Sequence, residues 1–83
     1  MKITYLSAAW CGPCKRFFPV LKEFCSKNNI ELVKEDVDTN TDLAIKYSVK
    51  SIPFLILTNG SKELTASGMK TPKELTNLVS SLE

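Results

Sequence analysis

Hydrophobic and polar positions along the chain change period several times, and the changes mark out seven elements. Lys2 to Leu6 reads as a strand, because Ile3, Tyr5 and Leu6 are good β-formers and the run stops at the small residues Ser7, Ala8 and Ala9. From Cys11 the period lengthens. Phe17, Leu21, Phe24 and Cys25 recur at helical spacing, Phe18 and Val20 widen the apolar stripe, and Lys15, Lys22 and Lys27 take other positions. This spacing predicts a helix from about Cys11 to Asn28, closed by Asn28 and Asn29, with a kink or local loosening rather than an end at Pro19. Ile30 to Val37 returns to period two, with Ile30, Leu32 and Lys34 on one face and Glu31, Val33, Glu35 and Val37 on the other. It is a second strand, charged toward its C-terminal end.

Asp38-Thr39-Asn40-Thr41 is a turn and capping cluster, and Leu43, Ala44 and Tyr47 after it indicate a short helix ending near Ser48. Pro53 to Thr58 and Lys62 to Ala66 are two strands around Asn59-Gly60, the strongest short hairpin signal a sequence offers. Thr71, with Pro72 at the first helical position and Glu74 at the third, opens a last amphipathic helix through Leu75, Leu78, Val79 and Leu82. The order is β-α-β-α-β-β-α. A helix between the first two strands implies a right-handed parallel crossover, and the hairpin implies an antiparallel pair. The expectation is an α/β protein with a four-stranded mixed sheet and flanking helices. No repeat, linker or low-complexity segment interrupts it, so residues 1–83 read as a single domain.

Composition narrows the chemistry. Eleven Lys and Arg against nine Asp and Glu give a net charge of +2 with no cationic run, so nucleic acid is not an expected partner. The absence of His removes the commonest metal ligand and the usual general base, which excludes hydrolytic triads and His-containing zinc sites. The longest apolar run, Ile52 to Leu57, is far short of the roughly 20 residues of a membrane helix. Thr4 and Ser7 interrupt Met1 to Ala9, so no secretory signal is read there. The expectation is a soluble, cytoplasmic monomer without a membrane partner. Three cysteines fit poorly with the paired staples of small secreted domains, and in a reducing compartment a close pair points to reactivity or metal.

That pair lies in Trp10-Cys11-Gly12-Pro13-Cys14-Lys15, where a strand ends and a helix begins. A thiol in the first turn of a helix faces unpaired N–H groups and the positive end of the helix dipole, which favour thiolate over thiol. Cys11 is therefore the more acidic cysteine, below the ordinary value of about 8.5. Cys14, three residues on, shares its face at roughly 5 to 6 Å between Cβ atoms, close enough for a disulfide to close with modest adjustment. Pro13 fixes φ and removes a donor the first turn does not need, holding the sulfurs in register. The chemistry is attack of the Cys11 thiolate on a substrate disulfide, a mixed disulfide, then release of the reduced substrate by Cys14, with no cofactor. Structural zinc is the weaker reading, because a closed site needs four ligands and only one further Cys exists. An inert structural pair is also weaker, given the strand-to-helix setting. Cys25 lies roughly 16 Å further along the helix, beyond disulfide reach, and reads as a buried core thiol, with a regulatory thiol as the alternative.

At these residues the chain resembles the thioredoxin family, over nearly its whole length. Trp10 to Lys15 matches that family's active-site motif without a change, and Pro19, Asp38, Ile52-Pro53, Asn59-Gly60 and Gly68 match at further positions. The resemblance implies the thioredoxin-like fold and a cis Ile52-Pro53 bond that exposes backbone for strand-like pairing with an extended substrate. It also implies an apolar substrate-contact surface of Trp10, Ile52, Pro53, Gly68 and Met69, with Gly12, Pro13, Lys15 and Lys34 supporting the pair. Two departures stand out. The chain lacks the family's additional N-terminal strand and helix, so its outline is closer to glutaredoxin. Tyr5 stands where thioredoxins usually carry a buried Asp that assists proton transfer at the second cysteine, and Ser7 replaces a common Trp. Water, neutral Lys34, Glu35 or Asp36 are the remaining candidates for that task, although Glu35 and Asp36 read first as ordinary surface charges at a strand end.

The implied activity is reduction of protein disulfides with electrons from a thioredoxin reductase or similar flavoprotein. A glutathione-dependent, glutaredoxin-like enzyme is the alternative; Gly12-Pro13 and the absence of a Gly-Gly pair near Gly68 argue against it, and the short architecture argues for it. A scaffold whose redox chemistry is incidental is the remaining class.

Overall fold

Strand β1, Lys2–Ser7, lies inside the sheet and is bonded on both edges. In the computed structural model, which describes residues 1–83, it pairs in parallel with β2 (Glu31–Asp36) and antiparallel with β3 (Phe54–Asn59). β3 in turn pairs antiparallel with β4 (Lys62–Ser67), giving the order β2-β1-β3-β4. Helix α1 (Gly12–Lys27) makes the crossover from β1 to β2, α2 (Thr41–Lys46) joins β2 to β3, and α3 (Pro72–Ser81) follows β4. The expected element order and the mixed sheet are both present.

Residues paired across a sheet project from the same face, so the register sorts the core. Ile3 pairs with Leu57 and Tyr5 with Leu55, and these four meet Phe17, Leu21, Phe24 and Cys25 of α1 and Leu75 of α3 in the main cluster. On the other face Leu6, Phe54 and Ile56 form a smaller cluster packed by Leu43, Tyr47, Val37 and Val49. With both faces covered, β1 is buried from Ile3 to Ser7 without alternation, which explains the burial of Thr4 between two apolar neighbours.

Helix α1 starts one residue later than the spacing suggests, with Cys11 as its N-cap, and runs unbroken past Pro19, which faces solvent. It ends with Asn29 at φ 54°, and Ile30 donates its amide to the Cys25 carbonyl at 2.9 Å. α2 ends the same way: Ser48 sits at φ 52° and Val49 donates to the Ala44 carbonyl at 2.9 Å. In each case a left-handed residue lets the chain reverse while satisfying a terminal carbonyl. The last helix has the expected cap. Thr71 Oγ1 accepts the Glu74 amide at 3.2 Å, and Glu74 Oε1 accepts the Thr71 amide at 2.9 Å, which lowers the Glu74 carboxyl pKa.

The hairpin differs from the expectation by one position. Asn59 pairs with Lys62, so the two central turn residues are Gly60 and Ser61 rather than Asn59 and Gly60. Gly60 has φ +65° while Ser61 has no positive φ, the pattern of a turn with glycine in its first central position. Asn59 instead spends its side chain on α3, donating Nδ2–H to the Leu82 carbonyl at 2.8 Å. Strand ends also shift: β2 excludes Ile30 and Val37, and β3 begins after Pro53.

Leu21 is fully buried between α1 and the sheet, so Leu21→Ala removes apolar contacts and leaves a cavity. The expected loss is about 2–5 kcal/mol by denaturant titration, against less than about 0.5 kcal/mol for the exposed neighbour Lys22→Ala.

Candidate active site

The site is built where β1 hands the chain to α1. Cys11 is extended, at φ −86° and ψ 103°, so its carbonyl enters the helix while its side chain turns back toward the free amides of the first turn. Its Sγ accepts the Cys14 amide N–H at 3.2 Å, and its own amide donates to the Ala8 carbonyl at 3.1 Å. Cys11 and Cys14 are joined as a disulfide with Cα atoms 5.3 Å apart, inside the range such bonds occupy. On reduction the Cys14 amide stays where a thiolate at Cys11 can accept it. The sequence placed Cys11 within the first turn; the structure places it at the cap, where its sulfur itself is the capping acceptor.

Gly12 and Pro13 fill the next two positions of α1, both exposed. A Cβ at Gly12 would meet only an Arg16 guanidinium nitrogen at 3.7 Å, an ordinary contact, so packing does not require glycine there. The Ile52-Pro53 bond is cis, as the resemblance implied. The Ile52 carbonyl lies 4.0 Å from Cys11 Sγ, and the Pro53 carbonyl accepts the Gly68 amide at 2.8 Å. Gly68 has φ +86°, a backbone state that favours glycine, and Met69 follows it with nearly half its surface exposed.

Trp10 is 70% exposed, yet its indole N–H donates to Asp38 Oδ2 at 3.0 Å, which ties it to the turn after β2. Beside it runs an apolar groove of about 490 Å³ lined by Trp10, Val37, Ala44, Val49, Lys50 and Ile52. Sequence reasoning found Trp10 and Ile52 but not Val37, Val49 or Lys50. Val49 and Lys50 lie in the connection between α2 and β3, where no periodic pattern singles them out, and Val37 was read only as one face of the second strand.

On the other side of the pair a cavity of about 340 Å³ reaches Cys14, with Tyr5, Phe18, Lys15, Lys34 and Asp36 among its walls. Tyr5 donates its hydroxyl to the Cys14 carbonyl at 2.7 Å, and burial raises its pKa. Its ring stacks on Phe18 at 5.5 Å between centroids, and the Lys34 ammonium sits 4.7 Å from the centroid of that same Phe18 ring. The aromatic substitution at Tyr5 is therefore a packed, hydrogen-bonded support for the helix start. Cys25 is free and buried away from the pair, and desolvation pushes its thiol up to about 11. That matches the expectation of an inert core thiol.

A dithiol that can open and close at a helix start, with accessible backbone beside it, performs thiol–disulfide exchange, and on this sheet it defines a protein-disulfide oxidoreductase. The Thioredoxin family profile matches residues 2–82. The chain is 44% identical over 75 residues to a thioredoxin of Bacillus subtilis (strain 168), covering 87% of this chain and 72% of that protein. It is 47% identical over 57 residues to a bifunctional thioredoxin reductase/thioredoxin of Mycobacterium leprae (strain TN), covering 66% of this chain and 12% of that protein. Among solved structures, a mutant thioredoxin from Halobacterium salinarum NRC-1 superposes with a TM-score of 0.86 at 29% identity, covering 98% of this chain and 73% of that one. The chain belongs to the thioredoxin family. It is a thiol–disulfide oxidoreductase acting on protein disulfides through Cys11 and Cys14. No helix is long and apolar enough to cross a membrane.

The raised Cys25 pKa has a measurable consequence. The folded state holds this proton more tightly than the unfolded chain, so its contribution is intact below the ordinary thiol pKa of about 8.5 and is lost as pH rises toward about 11. Unfolding free energy of the disulfide form falls across that window, and Cys25→Ala flattens the fall. Buried Tyr5 acts in the same direction, so the difference in slope between the two proteins is the diagnostic. Alkylation of the native protein leaves Cys25 unlabelled until denaturant is added.

Proposed function

We propose that the chain is a thioredoxin-type reductant of protein disulfides in which Cys11 attacks and Cys14 resolves. The Cys11 thiolate displaces one sulfur of a client disulfide, which leaves with the electron pair and takes a proton. Cys14, deprotonated, then attacks Cys11 Sγ; the Cys11–client bond breaks, the second client sulfur leaves as thiolate, and the Cys11–Cys14 disulfide forms. The observation that carries this reading is the Cys14 amide 3.2 Å from Cys11 Sγ at the mouth of α1, a donor placed for a sulfur anion.

Trp10, Ile52, Pro53, Gly68 and Met69 form the client-contact surface in this reading. An extended client segment pairs with the Ile52 backbone while its disulfide meets Cys11 from the open side of the loop. Pro13 and Gly12 fix the spacing of the sulfurs, and Lys15 and Lys34 set positive charge around Cys14. Residues 1–83 act as one domain and as a monomer in the cytoplasm, with a thioredoxin reductase or a similar flavoprotein as electron donor. The Mycobacterium leprae relative, whose name joins a reductase and a thioredoxin, supports that donor class.

Insulin reduction tests the assignment when driven in parallel by NADPH with thioredoxin reductase and by glutathione with glutathione reductase. The expected result is turnover with the former, loss of turnover to background in Cys11→Ser, and a stable client mixed disulfide in Cys14→Ser. A strong preference for glutathione overturns the donor, and labelling of Cys14 ahead of Cys11 by a neutral-pH alkylating agent overturns the division of roles.

A further inference from the structure

Resolution requires Cys14 to lose a proton before it attacks, and Cys14 has no titratable hydrogen-bond partner at its sulfur that could take it. The cavity beside it shows what can. Parallel pairing of Tyr5 with Lys34 and of Ser7 with Asp36 puts all four side chains on the α1 face of the sheet, and Glu35, paired with Leu6, on the opposite one. The groups that face this cavity are Tyr5 from β1, Cys14 and Lys15 from α1, and Lys34 and Asp36 from β2.

Their chemistry separates them. Tyr5 is already a donor to the Cys14 carbonyl, and its pKa is above the ordinary phenol value, so it stays protonated and offers no base. Lys15 and Lys34 present donors to the cavity rather than acceptors. Asp36 is the carboxylate of the group. Its Oδ1 accepts the Asp38 amide at 2.7 Å, which fixes the side chain at the end of β2 and leaves Oδ2 for another partner. The cavity, of about 340 Å³, has room for water, and Ser7, Lys34 and Asp36 offer it polar partners within walls that are otherwise largely apolar.

We propose that Asp36 is the proton acceptor for Cys14, acting through water in this cavity, and that Lys34 beside it favours the thiolate that results. The inference rests on Cys14 being the resolving thiol. The proton leaves Cys14 Sγ for water and water passes one to Asp36; the thiolate electron pair forms the bond to Cys11 Sγ, and the client sulfur departs with the pair from the broken bond. The protonated carboxyl then returns its proton to solvent or to the departing thiolate. Position 36 thus supplies the base that Tyr5 does not, from the adjacent strand.

Reaction of the reduced protein with excess dithiobis-nitrobenzoate reads the two steps separately. Attack by Cys11 releases a first thionitrobenzoate, and attack by Cys14 on the resulting mixed disulfide releases a second in a concentration-independent phase. In Asp36→Asn, which keeps an acceptor for the Asp38 amide, the first phase is unchanged. The second slows roughly ten-fold or more at neutral pH, and the deficit narrows as pH rises and hydroxide takes the Cys14 proton directly. Asp36→Glu restores the second phase, and Glu35→Gln on the far face changes neither. A second phase in Asp36→Asn equal to that of the parent protein, or slowed by one constant factor at every pH, overturns the inference. Loss of the fast first phase in the parent protein itself overturns the reading of the cysteine pair instead.

Discussion

The constraint on which the rest of the structure depends is that a sulfur caps a helix. An oxygen from Ser, Thr, Asp or Asn is the usual acceptor for the free amides of a first turn; here Cys11 Sγ takes the Cys14 amide. That placement demands an extended residue at Cys11, a strand ending a few residues before it, and a helix held firmly enough that its start does not fray. The buried row of Cys14, Phe17, Leu21, Phe24 and Cys25 holds α1 on the sheet, and Tyr5 ties the carbonyl of Cys14 to β1. Core packing and site geometry are thus one arrangement, since the residue that opens the buried face of the helix is itself a reactive thiol.

The four-stranded sheet has to do this with little material. β1 carries the site at its end and is the strand flanked on both sides by β2 and β3. β2 is an edge, and its Glu31, Lys34, Glu35 and Asp36 explain the charge that the sequence concentrates there. Charged side chains on an edge discourage the addition of another strand. Those on the α1 face are not only protective: Lys34 covers the Phe18 ring and Asp36 reaches the cavity beside Cys14. A strand designed against aggregation therefore also delivers charge to the buried thiol.

Much of this was legible because it is local. The helical stripe from Phe17 to Cys25, the capping box at Thr71 and Glu74, and the Cys-x-x-Cys pair at a strand-to-helix junction are all set by residues within one or two turns of each other. The hairpin centre was missed by one residue because Asn59 satisfies its side chain on the Leu82 carbonyl, a contact from a distant element that outweighs its turn preference. The partner of Tyr5 was hidden for the same kind of reason. Whether a phenol replaces a carboxylate in function or only in space depends on the atom it reaches, and that atom, the Cys14 carbonyl, is known only once β1 and α1 are packed. Period-two alternation put Glu35 and Asp36 on opposite faces of β2, but only the register with β1 showed that Asp36 is the one on the face that carries the cavity beside Cys14.

Three cysteines in one helix and its cap show how far environment alone can divide a single functional group. Cys11 meets an amide donor and the positive end of α1, so its anion is favoured. Cys25, eleven residues beyond Cys14 on the same helix, is buried in the main apolar cluster, and its thiol is pushed up to about 11. Cys14 is buried like Cys25, but charged groups line a cavity beside it. A resolving thiol works between two failures: too acidic, and it competes with the attacking thiol for the client; too basic, and the mixed disulfide persists.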